Sequence, residues 1–182
     1  MEIDTDSGLL SDARWCESPN QDARPDTQDI ELVVIHGISL PPGEYGGPGI
    51  EALFTNRLDR RAHPYFETIG HLRVSAHLLV RRDGSLVQFV PFHCRAWHAG
   101  ESCYAERSDC NDFSIGIELE GSDDCPYADI QYTALAQVVG TLLNTYPRLD
   151  AQRIVGHCDI APQRKTDPGP AFDWSRLRNL LG

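Results

Sequence analysis

Residues 157–169 read HCDIAPQRKTDPG. His157, Asp159, Lys165 and Asp167 crowd into a stretch almost without apolar residues, a composition that excludes a buried helix or strand. Far upstream, His36 ends the apolar run Leu32–Ile35, and His157 itself ends the short run RIVGH. Strand ends hold side chains rigidly while adjoining loops leave space, so both histidines are candidates for a site. Asp167 precedes Pro168, and a residue before proline favours extended backbone. In an extended 165–167 segment, Lys165 and Asp167 point one way and Thr166 the other. Two neutral imidazoles and a carboxylate form a common zinc set, which leaves a fourth position for water whose pKa falls to about 7. Amide hydrolysis then needs a group that takes and returns a proton, and a positive charge or donor at the developing oxyanion. Glu118 suits the first role and Lys165 the second.

Each residue also has a plainer reading. A histidine closing a strand is most often a hydrogen-bonded structural residue, Glu118 a solvated face, Lys165 a surface charge and Asp167 a turn residue. By type alone His63, His71, His77, His93 and His98 are equally eligible ligands. Cys158 is eligible too, although strand alternation aims it away from His157. No short pattern such as HExxH joins His36 to His157. On the residues alone, the chain reads as a metal-dependent hydrolase.

The elements that must position these groups follow from periodicity. ELVVIHGI reads as a strand buried on both faces. SLPPGEYGGPG is a loop, IEALFTNRLD a short helix, and RRAHPYFETIGHL irregular. RVSAHLLV and LVQFV flank Asp83-Gly84 as a hairpin. Residues 91–112 read as one long loop. In FSIGIELEG, Phe113, Ile115, Ile117 and Leu119 alternate with Ser114, Gly116, Glu118 and Glu120, which leaves room above Gly116 beside a carboxylate. QYTALAQVVGTLLNTYP has helical spacing, with Asp129 as its expected N-cap and Pro147 as its stop. FDWSRLRNLLG is a final helix capped by Asp173. The order predicts an α+β fold, a mixed sheet with helices packed on it.

The totals narrow the classes. A chain of 182 residues with 41% hydrophobic and 24% charged residues fits one domain with one core. Residues 1–29 are expected as a polar, irregular arm packed on the domain, and residues 30–182 as the domain. No apolar run spans a membrane. The acidic, polar N-terminus lacks a secretion signal's pattern, so the expected location is cytoplasmic. The net charge of -11 argues against nucleic acid and anionic membrane surfaces, and favours a small diffusing substrate. The six cysteines show no CxxC spacing and read as reduced thiols.

Seven blocks carry a resemblance: VIHGISLPPG, HPYFE, LRVSAHLLVRRDGSLVQFV, RAWHAG, CNDFSIGIELEG, YTALA and GHCDIAPQRKTDPG. Together, from Trp15 to Leu177, the chain resembles the cytoplasmic N-acetylmuramoyl-L-alanine amidases of the type-2 family. The resemblance implies a single domain with a central mixed sheet flanked by helices, shared with phage amidases and peptidoglycan-recognition proteins. It implies one zinc ion per chain held by His36, His157 and Asp167, with Glu118 as general acid/base and Lys165 stabilising the transition state. Arg73 and Trp97 fall in blocks that suggest sugar or peptide contacts. The implied reaction cuts the amide between 1,6-anhydro-N-acetylmuramic acid and L-alanine in small soluble muropeptides. The implied role is cell-wall recycling, linked in some bacteria to β-lactamase induction. The expected chain is a monomer without nucleic-acid or membrane partners. Two positions depart from relatives: Ala76 stands where phage enzymes have a tyrosine, and Gly37 where many members have asparagine. A binding module without catalysis and a secreted autolysin acting on intact wall are the competing readings. Filled ligand, acid/base and lysine positions oppose the first, and the absent signal with the acidic charge opposes the second.

Overall fold

Parallel strands rich in Val, Ile and Leu need cover on both faces. The computed structural model describes residues 1–182 and meets that need around a six-stranded mixed sheet. Its strands are β1 (Arg14–Trp15), β2 (Leu32–Ile38), β3 (Leu78–Val80), β4 (Leu86–Gln88), β5 (Ser114–Glu120) and β6 (Ile154–Gly156). Their spatial order is β6-β2-β5-β3-β4-β1. β6, β2, β5 and β3 run parallel, β4 returns antiparallel to β3 as the expected hairpin, and β1 lies parallel to β4 at the edge. The helices are α1 (Gly49–Phe54), α2 (Pro64–Ile69), α3 (Asp129–Thr145), α4 (His157–Ile160) and α5 (Trp174–Leu181). The expected α+β architecture is the one the chain adopts.

Side-chain alternation divides the sheet into two faces. Val33 and Ile35 of β2, Leu78 and Val80 of β3, and Ile115, Ile117 and Leu119 of β5 pack under Leu135, Val138, Val139 and Leu142 of α3 and Leu177 of α5. Each such burial contributes about 1.5–3 kcal/mol. Leu32 and Val34 point to the other face and pack with Phe113, Ala99 and Ile160. Phe113 therefore does not share the Ile115 side as its spacing suggested, because it precedes the strand and leaves a 3-10 turn at Cys110–Asp112.

The cap of α3 also differs. Ala128 holds the N-cap position, and the Gln131 side-chain oxygen accepts its N–H at 3.0 Å. The Gln131 amide donates onward to the carbonyls of Glu120 and Val80, tying the helix start to two strands. Asp129 lies inside the first turn, where the helix dipole favours an acid, and pairs with Arg176 of α5 at 2.6 Å. Asp173 caps α5 as expected, accepting from the Arg176 N–H at 2.9 Å.

Three segments are more regular than their composition suggested. Residues 1–29 form a hairpin of Ile3–Asp4 with Leu9–Leu10, the edge strand β1, and a strand Gln21–Ala23 that pairs with Cys94–Ala96. Residues 91–112 hold that strand and a second small hairpin, Cys103–Tyr104 with Arg107–Ser108. Pairings of two or three residues are too short to show a period. The stretch expected as irregular around Pro64 contains α2, with Pro64 in its first turn and the His63 ring accepting the Tyr65 N–H at 3.1 Å. The helix expected over residues 50–59 ends at Phe54. All six cysteines are free thiols.

Candidate metal centre and active site

The parallel strands deliver their C-terminal ends to one edge of the sheet, where open α/β sheets bind ligands. His36 lies near the end of β2 and Glu118 near the end of β5. They are direct partners in the parallel register, so both side chains leave the same face. His157 follows β6 directly. It opens the single turn α4 rather than ending a strand, and His157 and Ile160 are buried, so this part of HCDIAPQRKTDPG does form a short buried helix. Gly156 caps the turn, its N–H donating to the Asp159 carboxylate at 2.7 Å. That cap accounts for Asp159. The carbonyl of Asp167 accepts from the Cys158 N–H at 3.0 Å, which folds the tail of the segment back onto the turn. Lys165 and Asp167 both line the cleft while Thr166 is exposed, as the extended reading required.

His36 Nδ1, His157 Nδ1 and Asp167 Oδ2 form a nearly equilateral triangle with edges of 2.9, 3.1 and 3.2 Å. Ligands about 2.0–2.1 Å from a tetrahedral centre stand about 3.3 Å apart, close to these edges. The proton inventory gives a second test. His157 Nε2 lies 3.1 Å from the carbonyl oxygen of Ala99, a contact that requires its proton on Nε2. In the single-proton ring that a metal ligand requires, that leaves His157 Nδ1 free toward Asp167 Oδ2, 3.1 Å away. Burial pushes His36 down to about 4, so it is neutral near pH 7. Two ring nitrogens and a carboxylate oxygen converging at metal-ligand spacing suit zinc. The three residues therefore fit such a group. His63, His71, His77, His93, His98 and Cys158 lie outside this triangle.

The cleft holds about 350 Å³. One wall is apolar, with Leu53 and Phe54 of α1, Tyr65 and Ile69 of α2, and Leu72 and Val74. The other carries His36, Glu118, His157, Lys165 and Asp167. Glu118 is buried, and its Oε2 has no hydrogen-bond partner in the protein. Desolvation, then the nearby Asp167 charge, raise its pKa well above the ordinary glutamate value, and the Lys165 charge opposes them. A buried, unpaired carboxyl at a cleft is suited to carrying a proton. The face expected to be solvated is therefore closed over everything except this cleft.

Two expectations about neighbouring residues change. The room above Gly116 is filled by the His98 ring, and a Cβ there would come within 2.4 Å of His98 Cγ. At Gly37, beside His36, a Cβ would meet the Tyr127 hydroxyl at 2.3 Å. That hydroxyl donates to the Pro168 carbonyl at 2.9 Å, beside Asp167. Arg73 and Trp97 do not line the cleft, although their neighbours Val74, Ser75 and His98 do. Arg73 turns to the carbonyls of Leu72 and His71. Trp97 holds its backbone N–H on the Ser75 hydroxyl. Reasoning from sequence missed the α2 wall, His98 as the neighbour of His36, and Tyr127. The only available signals were Pro64 at a helix start, and residue type.

Residues 26–170 match a family model described as N-acetylmuramoyl-L-alanine amidase. The 1,6-anhydro-N-acetylmuramyl-L-alanine amidase AmpD of Citrobacter freundii is 60% identical over 176 residues, 97% of this chain and 94% of the relative. A crystal structure of a selenomethionine AmpD derivative superposes with a TM-score of 0.96 at 58% identity, covering all of both chains. The amidase AmiD of E. coli, in complex with the substrate anhydro-N-acetylmuramic acid-L-Ala-D-gamma-Glu-L-Lys, gives a TM-score of 0.62 at 29% identity. That match covers 87% of this chain and 58% of the other.

Proposed function

The chain belongs to the N-acetylmuramoyl-L-alanine amidase family, and from that premise we propose that it is a zinc enzyme hydrolysing the bond between 1,6-anhydro-N-acetylmuramic acid and L-alanine in soluble muropeptides. The observation that carries the metal part is the triangle of His36, His157 and Asp167 ligand atoms beside the unpartnered Glu118. The substrate part is supported by the similarity to AmpD over nearly the whole chain. The proposed role is cell-wall recycling in the cytoplasm, with its link to β-lactamase induction. No helix is long and apolar enough to cross a membrane. The proposed working unit is a monomer.

When bound, zinc supplies a Lewis acid that polarises the amide carbonyl and eases deprotonation of water. His36, His157 and Asp167 would hold it. Glu118 takes a proton from the attacking water and returns it to the departing L-alanine amine. Its burial raises its proton affinity, which favours taking the proton from water. Lys165 sets a positive charge on the same wall, where the carbonyl oxygen becomes negative. The apolar wall of α1 and α2 excludes water from one side of the substrate, which strengthens these charge interactions. Ala76 is fully buried and lacks a titratable group, so proton transfer falls to Glu118.

Mass spectrometry of anhydro-muropeptides incubated with the protein tests the reading. Release of free stem peptide, lost on chelation and restored by zinc, is expected. Binding without cleavage in the zinc-loaded protein favours the non-catalytic module instead, and faster release from intact sacculi favours the autolysin.

A further inference from the structure

A neutral imidazole carries one N–H and can serve a metal only through the other nitrogen. For His157 the assignment is local, through the Ala99 carbonyl. His36 has no carbonyl at its far nitrogen and faces another histidine there. We propose that His98 and Ser114 form a hydrogen-bond relay that sets the tautomer of His36 and presents a bare Nδ1 to the metal site. Both are positioning residues. The inference rests on the zinc-amidase reading and deepens it.

The polarity follows from counting protons. The Ser114 hydroxyl has one, directed at the Cys110 carbonyl 2.5 Å away. Its lone pairs face His98 Nε2 at 3.2 Å, a hydrogen bond only when that nitrogen carries the proton. Neutral His98 then has a bare Nδ1, which accepts from His36 Nε2–H at 3.0 Å. The lone pair of His36 is left on Nδ1, where His157 Nδ1 and Asp167 Oδ2 converge. Reversing the direction would require Ser114 to abandon the Cys110 carbonyl inside the protein.

Each member is held in place. His36, His98 and Ser114 are 2%, 8% and 0% exposed, which limits alternative partners. The backbone amides of His98 and Ala99 both donate to Asn111 Oδ1, at 3.0 and 2.8 Å. The His98 ring rests against Gly116, where any Cβ would displace it. The buried Arg24 guanidinium donates to the Ser114 carbonyl at 2.6 Å. Outer partners of this kind commonly carry about 10- to 100-fold in metal affinity.

The test uses the full chain, stripped of metal, at pH 7.5. Long-range proton–nitrogen NMR reads the histidine tautomers, and chelator competition reads zinc affinity, for the parent and for Ser114→Ala. The parent is expected to show His36 protonated on Nε2 before any metal is added. Ser114→Ala is expected to show a mixture of His36 tautomers and zinc binding weakened about 10- to 100-fold. A parent His36 protonated on Nδ1 overturns the relay, and this measurement requires no variant to fold. A Ser114→Ala protein that binds zinc as tightly as the parent also overturns it. A parent that binds no zinc removes the metal reading itself, an outcome distinct from a parent and variant that bind equally.

Discussion

Glu118 and Glu120 stand two residues apart on one face of β5, both buried, in opposite surroundings. Glu120 accepts from Arg81 at 3.0 Å and from the N–H groups of Gly46 and Arg82 at 2.7 and 3.1 Å. Glu118 leaves one oxygen without a partner at the wall of the cleft. The first carboxylate fastens the loop over residues 38–50 and the β3–β4 turn to the sheet. The second is kept chemically free. Same residue type, same strand and same face thus yield a structural part and a reactive one, and the difference lies in what the surrounding loops bring.

Glu118→Gln breaks the comparison at its reactive end. Turnover of anhydro-muropeptide should fall about 10²- to 10⁴-fold while zinc content and thermal stability are retained. Activity near the parent's would show that the two glutamates do not differ in kind. Glu120→Gln attacks the other end. Weakening a buried, fully partnered carboxylate should cost about 1–3 kcal/mol in denaturant unfolding, with activity per folded molecule preserved. Arg81 limits the loss because it keeps Glu51 at 2.7 Å.

Gly37 sharpens the comparison around the metal ligands. Gly37→Ala drives a methyl into the Tyr127 hydroxyl and should cost about 1–3 kcal/mol. In a Tyr127→Phe background the nearest ring carbon lies 3.6 Å from that methyl, so the penalty should largely vanish. Equal penalties in both backgrounds, measured by unfolding, would refute the contact. The smallest effect is a pH dependence. Between about pH 4.5 and its raised native pKa, Glu118 holds more protons in the folded than in the unfolded chain, so stability falls as pH rises. For metal-free protein, the stability of Glu118→Gln relative to the parent should match below about pH 4.5. Above it, the difference should grow by up to about 1.4 kcal/mol per pH unit. A difference constant with pH would contradict the raised pKa.

Much of this was legible in the letters. Alternation in FSIGIELEG put Glu118 and Gly116 on one face, and the spacing Leu135, Val138, Val139 and Leu142 showed the helix whose stripe packs on the sheet. Asp167 before Pro168 placed Lys165 and Asp167 together. What stayed hidden depends on partners remote in sequence. Nothing in the type or spacing of His98 says that its ring covers Gly116 and meets His36, 62 residues away. Glu120 looks as reactive as Glu118 until Arg81 and the Gly46 amide arrive from other segments. Arg73 and Trp97 drew attention through their blocks, but the Arg73 guanidinium turns to the Leu72 carbonyl and the Trp97 indole N–H is buried without a partner. The N-terminal strands escaped notice because two-residue pairings carry no period.

X-ray absorption at the zinc edge of the purified, zinc-loaded protein tests the central claim most directly. The account predicts a shell of nitrogen and oxygen scatterers at about 2.0–2.2 Å with two imidazoles, altered by Asp167→Ala. A sulfur scatterer at about 2.3 Å, or a shell indifferent to the loss of Asp167, would contradict it.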